Sequence, residues 1–169
     1  MTLFGRMGPA AGILLFTIVC ALPWGSGGDF RLVLPLLPYA LIHLCVERWS
    51  RSTPDWLVFL AGFTMDVVGQ GPLGYWSFIY LCGYTMVRSS TAGRQPGALE
   101  SIPLFGLTIV SIGLMQWSVT SIYYLRSAEP FPHILATAIV TLAYLHLMVL
   151  LPSGPKEPVR INSRLERGV

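Results

Sequence analysis

Six apolar runs make up most of this chain and constrain its fold more than any other feature. The 169 residues are 53% hydrophobic and 11% charged, with a mean hydropathy of +0.62, whereas a soluble domain carries roughly a quarter charged residues. The sequence therefore predicts one all-α integral membrane bundle of about six transmembrane helices over residues 1–151 and a basic cytoplasmic tail over 152–169. The predicted spans are about 7–24, 32–46, 56–68, 75–87, 102–124 and 133–151.

The distribution of cations predicts the orientation of these spans. If the N-terminus lies in the cytoplasm, nine Lys and Arg residues fall in cytoplasmic segments and two, Arg31 and Arg126, fall outside. Cytoplasmic loops of membrane proteins carry such an excess of cations, so both termini are expected in the cytoplasm. The third and fourth runs are shorter than the ~20 residues of a full crossing. The turn between them is therefore expected below the membrane surface, shielded by other spans.

The hairpin between these two runs contains Asp66, the one acid that the sequence places inside an apolar run. An ionisable group in hydrocarbon costs a few kcal/mol, so it usually faces inward and has a partner. Gly62 and Gly69 are expected on the same helix face, where glycine lets another backbone come close. The candidate site residues of the hairpin are Gly62, Asp66, Gly69, Gly71, Pro72, Leu73 and Gly74.

The residues leave three roles open for Asp66. Its carboxyl can accept hydrogen bonds from free N–H groups at the start of the fourth span, near Gly74 and Tyr75, and so tie the hairpin together. It can instead contact a partner helix, or form a proton or substrate site. All three roles require the side chain to be turned away from lipid.

The histidines indicate core positions rather than ligands. His43 and His146 lie mid-span, and each is expected to bond a nearby carbonyl, while His133 is expected at an interface. No second ligand stands at metal-binding spacing, so no metal and no cofactor is predicted. Glu47 is assigned to the charged segment that follows the second run.

No arrangement of residues predicts an enzyme. Cys20, Cys45 and Cys82 lie in apolar runs and are expected to be small buried hydrophobes. No nucleophile stands with a recognisable base. The basic tail is expected to meet anionic membrane lipid rather than nucleic acid.

The central hairpin resembles the rod shape-determining protein MreD family. The shared features are an apolar helix with Gly-x-x-x-Asp, a short glycine-bearing turn ending in Pro-Leu-Gly, and an aromatic-rich apolar helix. A Leu-Pro-Trp segment at 22–24 and a second span with two prolines extend the resemblance, which is sharpest between about 57 and 84. The residues that match the motif are Gly62, Asp66, Gly71, Leu73 and Gly74.

This resemblance implies a non-enzymatic scaffold of the bacterial inner membrane that supports rod shape and lateral peptidoglycan synthesis. The implied partners are an MreC-like single-span periplasmic protein, the rod-complex glycosyltransferase and transpeptidase, and, indirectly, MreB filaments. The family is also similar in topology to the substrate-binding subunits of energy-coupling-factor vitamin transporters. That similarity leaves an alternative open, a small-solute-binding subunit of a membrane transporter.

Overall fold

The computed structural model describes residues 3–22, 30–49, 53–70, 72–91, 96–123, 125 and 127–150. Within these ranges the chain forms six α-helices and no strand, which confirms the predicted all-α class. The tail over 152–169 lies outside the described residues. The helices are α1 (Leu3–Ala21), α2 (Phe30–Trp49), α3 (Asp55–Val68), α4 (Tyr75–Ser90), α5 (Ala98–Tyr123) and α6 (Pro130–Leu150).

Helix α2 contains two prolines in its interior. Since α2 begins at Phe30, Pro35 and Pro38 lie in its second and third turns. Each proline removes a backbone N–H from the helix. The Tyr80 hydroxyl of α4 donates a hydrogen bond to the Pro35 carbonyl. The contact links α4 to the part of α2 in which the prolines remove backbone hydrogen bonds.

Within the described residues, three helices are long and apolar enough to cross a membrane. Their apolar parts are Leu32–Trp49 in α2, Leu99–Tyr123 in α5 and Pro130–Leu150 in α6. The apolar part of α1 that the structure describes is shorter, Ala10–Ala21. Helices α3 and α4 have 14 and 16 residues, so these two fall short of a full crossing, as the sequence predicts.

Helix α2 lies at the centre of the bundle. It packs against α1, α4 and α6, while α3 packs against α1 and α4, and α5 packs against α4 and α6. The side chains where α2, α4, α5 and α6 meet include Tyr39, Tyr80, Phe105 and Tyr144, all fully buried. Most of the apolar surface of α5 and α6 faces outward. Such outward apolar faces are what a membrane bundle presents to lipid or to other membrane helices.

Candidate functional site

The turn between α3 and α4 is shaped by the ends of the two helices. The N–H of Gly69 closes α3 by donating to the Met65 carbonyl. Gly74 precedes α4 with a φ of +91°, in the left-handed region that residues with a Cβ rarely adopt. Because Gly74 has no side chain, it offers no oxygen to the free N–H groups of the first turn of α4.

Asp66 of α3 supplies that oxygen from across the hairpin. Its side chain is 1% exposed. One carboxylate oxygen, Oδ2, accepts from the N–H of Gly74 at 2.9 Å and from the N–H and hydroxyl of Ser77 at 3.4 and 3.2 Å. The other, Oδ1, accepts from the N–H of Trp76 at 2.9 Å. The carboxylate therefore caps α4, and a negative group is favourable at the positive end of a helix dipole.

Gly62 brings the two helices close enough for this contact. A Cβ built on Gly62 would lie 2.4 Å from the Ser77 Cα and 2.5 Å from the Ser77 nitrogen. These are backbone atoms of α4, so any larger residue at position 62 must separate the helices. Asp66 lies one turn further along the same face of α3, and this close approach places its carboxylate at the start of α4.

The structure separates the other predicted site residues from this cluster. Pro72 and Leu73 are exposed at the tip of the hairpin, and Leu73 is 72% exposed. Gly71 lies outside the described residues. Gly69 is exposed, and a Cβ there would meet the Met65 carbonyl of its own helix. The expectation that Gly69 admits a neighbouring backbone is therefore wrong, because it lies beyond the end of the packed face.

Trp76 and Ser77 belong to the cluster but were not among the predicted residues. Both contribute backbone N–H groups. Because nearly every residue type has such a group, the sequence does not indicate which of them meet Asp66. The Ser77 hydroxyl is the one member that its residue type would have indicated. With four donors from its own chain, the Asp66 carboxylate has the contacts of the capping role. The partner-contact and proton or substrate roles stay predictions.

A second buried acid lies at the other end of the bundle. Glu47 is part of α2 and is buried, so assigning it to a charged segment after the second run is wrong. Its Oε2 accepts a hydrogen bond from the Tyr144 hydroxyl of α6 at 2.9 Å. The spacing of four residues between His43 and Glu47 was the signal available in the sequence, because it places both side chains on one helix face.

His43 lies beside this acid inside a cage of rings. Its ring centroid is 5.0 Å from that of Phe105, 5.4 Å from Tyr144 and 6.1 Å from Tyr39, each edge to face. Its Nδ1 is 3.8 Å from the Glu47 Oε2, and neither ring nitrogen has a hydrogen-bond partner among the described residues. The expected carbonyl contact is therefore wrong for His43, since aromatic rings occupy the space around it.

The other two histidines differ from His43. His146 has its Nδ1 3.1 Å from the Leu142 carbonyl, which confirms the expected contact, but the side chain is exposed on α6 rather than in the core. His133 is buried in the first turn of α6, and its Nδ1 has no hydrogen-bond partner in the part of the chain that the structure describes. These positions reflect the rotation of α6 about its axis, which hydropathy alone does not fix.

We expect Glu47→Ala to destabilise the protein, because it leaves the buried Tyr144 hydroxyl without an acceptor at a cost of about 1–3 kcal/mol. Glu47→Gln is the matched control, since its amide oxygen keeps the contact with nearly the same shape. Thermal unfolding of the purified variants in one detergent measures the difference. Equal midpoints for Glu47→Ala and wild type would show that the contact with Tyr144 does not stabilise the bundle.

The hairpin is also tied at its base. The Asp55 carboxylate accepts from the Tyr84 hydroxyl at 2.8 Å and pairs with Arg88. The hydrogen bond from Tyr84, together with the charge of Arg88, holds the pKa of Asp55 below its ordinary value. The Tyr84 hydroxyl also lies 3.0 Å from the Thr53 carbonyl. Helices α3 and α4 are thus linked at both ends.

Among the described residues, no three His, Cys, Asp or Glu side chains come together in a group that would hold a metal ion. The hydrogen bonds of Asp66 join α3 to α4, and the hydrogen bond from Tyr144 to Glu47 joins α6 to α2. Comparison with protein-family models, curated proteins and solved structures finds no match for this chain.

Proposed function

We propose that this chain is a non-enzymatic scaffold of the bacterial rod complex, similar to MreD, which crosses the inner membrane six times and supports lateral peptidoglycan synthesis. The observation that carries the proposal is the set of contacts that holds α3 against α4 at Gly62, Asp66 and Gly74, here called the hairpin lock. Gly62, Asp66 and Gly74 bear the sequence resemblance, and they are also the residues that hold α3 against α4. A structural task for the resembling motif supports a scaffold role for the chain.

A scaffold role also agrees with the polar groups of the bundle. Asp66 and Glu47 make contacts between helices of the chain itself, while large apolar side chains are exposed along α3, α5 and α6. Outward apolar faces on a bundle joined internally suit contacts with other membrane helices. The proposed partners are an MreC-like single-span protein, the rod-complex glycosyltransferase and transpeptidase, and membrane lipid, with MreB reached indirectly.

Affinity purification from a rod-shaped bacterium in mild detergent tests this proposal. We expect an MreC-like protein and the rod-complex enzymes to co-purify with the tagged chain. A tagged inner-membrane protein of similar size and unrelated sequence is the control. Recovery of the same proteins with both baits, or of none with this chain, would contradict the scaffold role.

One observation favours the alternative, a small-solute-binding transporter subunit. The Gln116 Oε1 and the His133 Nδ1 are buried and have no hydrogen-bond partner within the described ranges, and a bound polar solute would supply partners for them. The two residues lie on α5 and α6, near the ends of these helices that the proposed orientation places outside. Under the scaffold proposal, vitamin-sized solutes are expected to leave the thermal unfolding midpoint unchanged. A shift that saturates at micromolar concentration would support the transporter role instead.

We expect six spans with both termini in the cytoplasm, because the nine-to-two distribution of cations favours this orientation. Cysteines introduced singly at Gly27, Gly93, Ala128 and Ser163 report it when intact cells are treated with an impermeant thiol reagent. Positions 27 and 128 should react from outside, and positions 93 and 163 only after the cells are opened. Reaction of position 93 in intact cells would overturn this topology.

A further inference from the structure

The two helices of the hairpin are much shorter than α5 beside them. At 1.5 Å per residue, the 14 residues of α3 span about 21 Å. The segment of α5 that follows its one acidic residue, Glu100, runs from Ile102 to Tyr123 and spans about 33 Å. The hydrocarbon core of a typical bilayer is about 30 Å thick. Helix α5 therefore matches the bilayer, while α3 is about 9 Å too short for it, and α4, with 16 residues, is about 6 Å too short.

Polar groups mark both ends of the short hairpin. At its base, Asp55 and Arg88 are exposed and form an ion pair. At its tip, the exposed Gln70 follows the end of α3. Between these ends, α3 presents a continuous stripe of exposed apolar side chains. The stripe consists of Trp56, Phe59, Leu60, Phe63 and Val67.

Contacts with α5 show that the tip lies below the end of that helix. The Tyr75 hydroxyl, at the start of α4, donates to the Gln116 carbonyl at 3.5 Å. Helix α5 continues for seven residues beyond Gln116 to Tyr123, which is about 10 Å. Ile122 and Tyr123 in this extension are exposed. The apolar band of the molecule is therefore narrower on the α3–α4 side than on the α5 side.

Contacts at the tip and at the base of the hairpin fix the distance between its two ends. Asp66 fixes the tip through the N–H groups of Gly74 and Trp76, and Arg88 is held at the base by Asp55. A helix that is too long for a bilayer can tilt, but tilting shortens a helix that is already too short. The remaining responses are thinning of the bilayer, extension of flanking side chains or association with other chains.

We propose that the protein holds the bilayer thin along its α3–α4 side, with lipid acyl chains covering the stripe from Trp56 to Val67. The inference rests on the proposed placement of the chain across a membrane. Lipid is the occupant because the stripe is continuous, uncharged and bounded by polar groups at both ends, as a surface in contact with acyl chains must be. The headgroups next to the hairpin tip are then drawn inward to the level of Leu73.

Depth-dependent quenching tests this inference on the full chain in phosphatidylcholine vesicles. Cys20, Cys45 and Cys82 are first replaced by alanine. Leu73→Cys at the hairpin tip or Ile122→Cys near the end of α5 is then added, and each variant carries the same fluorescent label. The vesicles contain lipid with a nitroxide either at the headgroup or deep in the acyl chain. Both positions are exposed, so labelling does not disturb the packed core.

We expect the headgroup nitroxide to quench both labels more strongly than the deep nitroxide, in short-chain and long-chain lipid alike. Preferential quenching of the label at 73 by the deep nitroxide, with 122 still at the headgroup, would overturn the thinning. Protection of 73 from both nitroxides would show a protein partner or second copy in place of lipid, and would also overturn it. Failure of headgroup quenching at 122 would instead contradict the proposed placement in the membrane.

Discussion

Replacement of Asp66 by leucine is expected to cause one of the largest losses of folded protein among single substitutions in this chain. Leucine accepts no hydrogen bond, so the buried N–H of Ser77 and the partly buried N–H groups of Gly74 and Trp76 lose their acceptor. Each orphaned buried donor costs about 1–3 kcal/mol. We therefore expect the hairpin to open and the amount of folded protein in the membrane to fall severely.

Asparagine at position 66 is the matched control for this substitution. Its single oxygen can take the place of Oδ2 and keep the contacts with Gly74 and Ser77, losing only the one from Trp76. It also loses the charge at the helix N-terminus, which is worth about 0.3–1 kcal/mol. Asp66→Asn should therefore be mild. Equal losses for Asn and Leu would indicate that the charge matters rather than the acceptor geometry.

Membrane abundance and recovery of partners should be measured in the same cells for Asp66→Leu. Under the capping role, abundance falls and partner recovery falls with it. Normal abundance with lost recovery of the MreC-like protein would make Asp66 an interface residue instead. Normal values for both would show that the hairpin lock does not hold the bundle together.

We expect Gly62→Ala to lower the amount of folded protein nearly as much as Asp66→Leu does, although it adds a single methyl group. The new Cβ would lie 2.4 Å from the Ser77 Cα, and backbone atoms cannot rotate away as a side chain can. Helices α3 and α4 must separate, which also stretches the hydrogen bonds of Asp66. Overpacking of a close contact typically costs about 1–3 kcal/mol, and here the loss of capping adds to it.

Gly106→Ala is the control for the added methyl group. Gly106 lies inside α5, and a Cβ there meets no atom within 4 Å. Alanine also has the higher helix propensity, by about 1 kcal/mol, so Gly106→Ala should unfold at the same or a higher temperature. The thermal midpoints of the two variants in one detergent make the comparison. A Gly62→Ala midpoint equal to that of Gly106→Ala would disprove the close contact.

The helical content of this chain follows from its sequence, and so does the central hairpin. Long uncharged runs leave the backbone to satisfy its own hydrogen bonds, and the helix does so within each segment. The residues that flank the third and fourth runs predict bounds for α3 and α4 that are close to those in the structure. Gly62 and Asp66 stood out because glycine and an acid are unusual in an apolar helix, whatever surrounds them.

Only the tertiary structure decided which side chains meet. Glu47 follows the second apolar run in sequence, and its burial depends on Tyr144, 97 residues away, covering it from α6. Gly69 stands on the predicted face of α3, but the turn begins there and leaves no neighbouring backbone beside it. Local pattern thus determined the helices and the exceptional residues within them. The partners of Asp66, His43 and Glu47 depend on the rotation and relative height of whole helices, which the packing of the bundle determines.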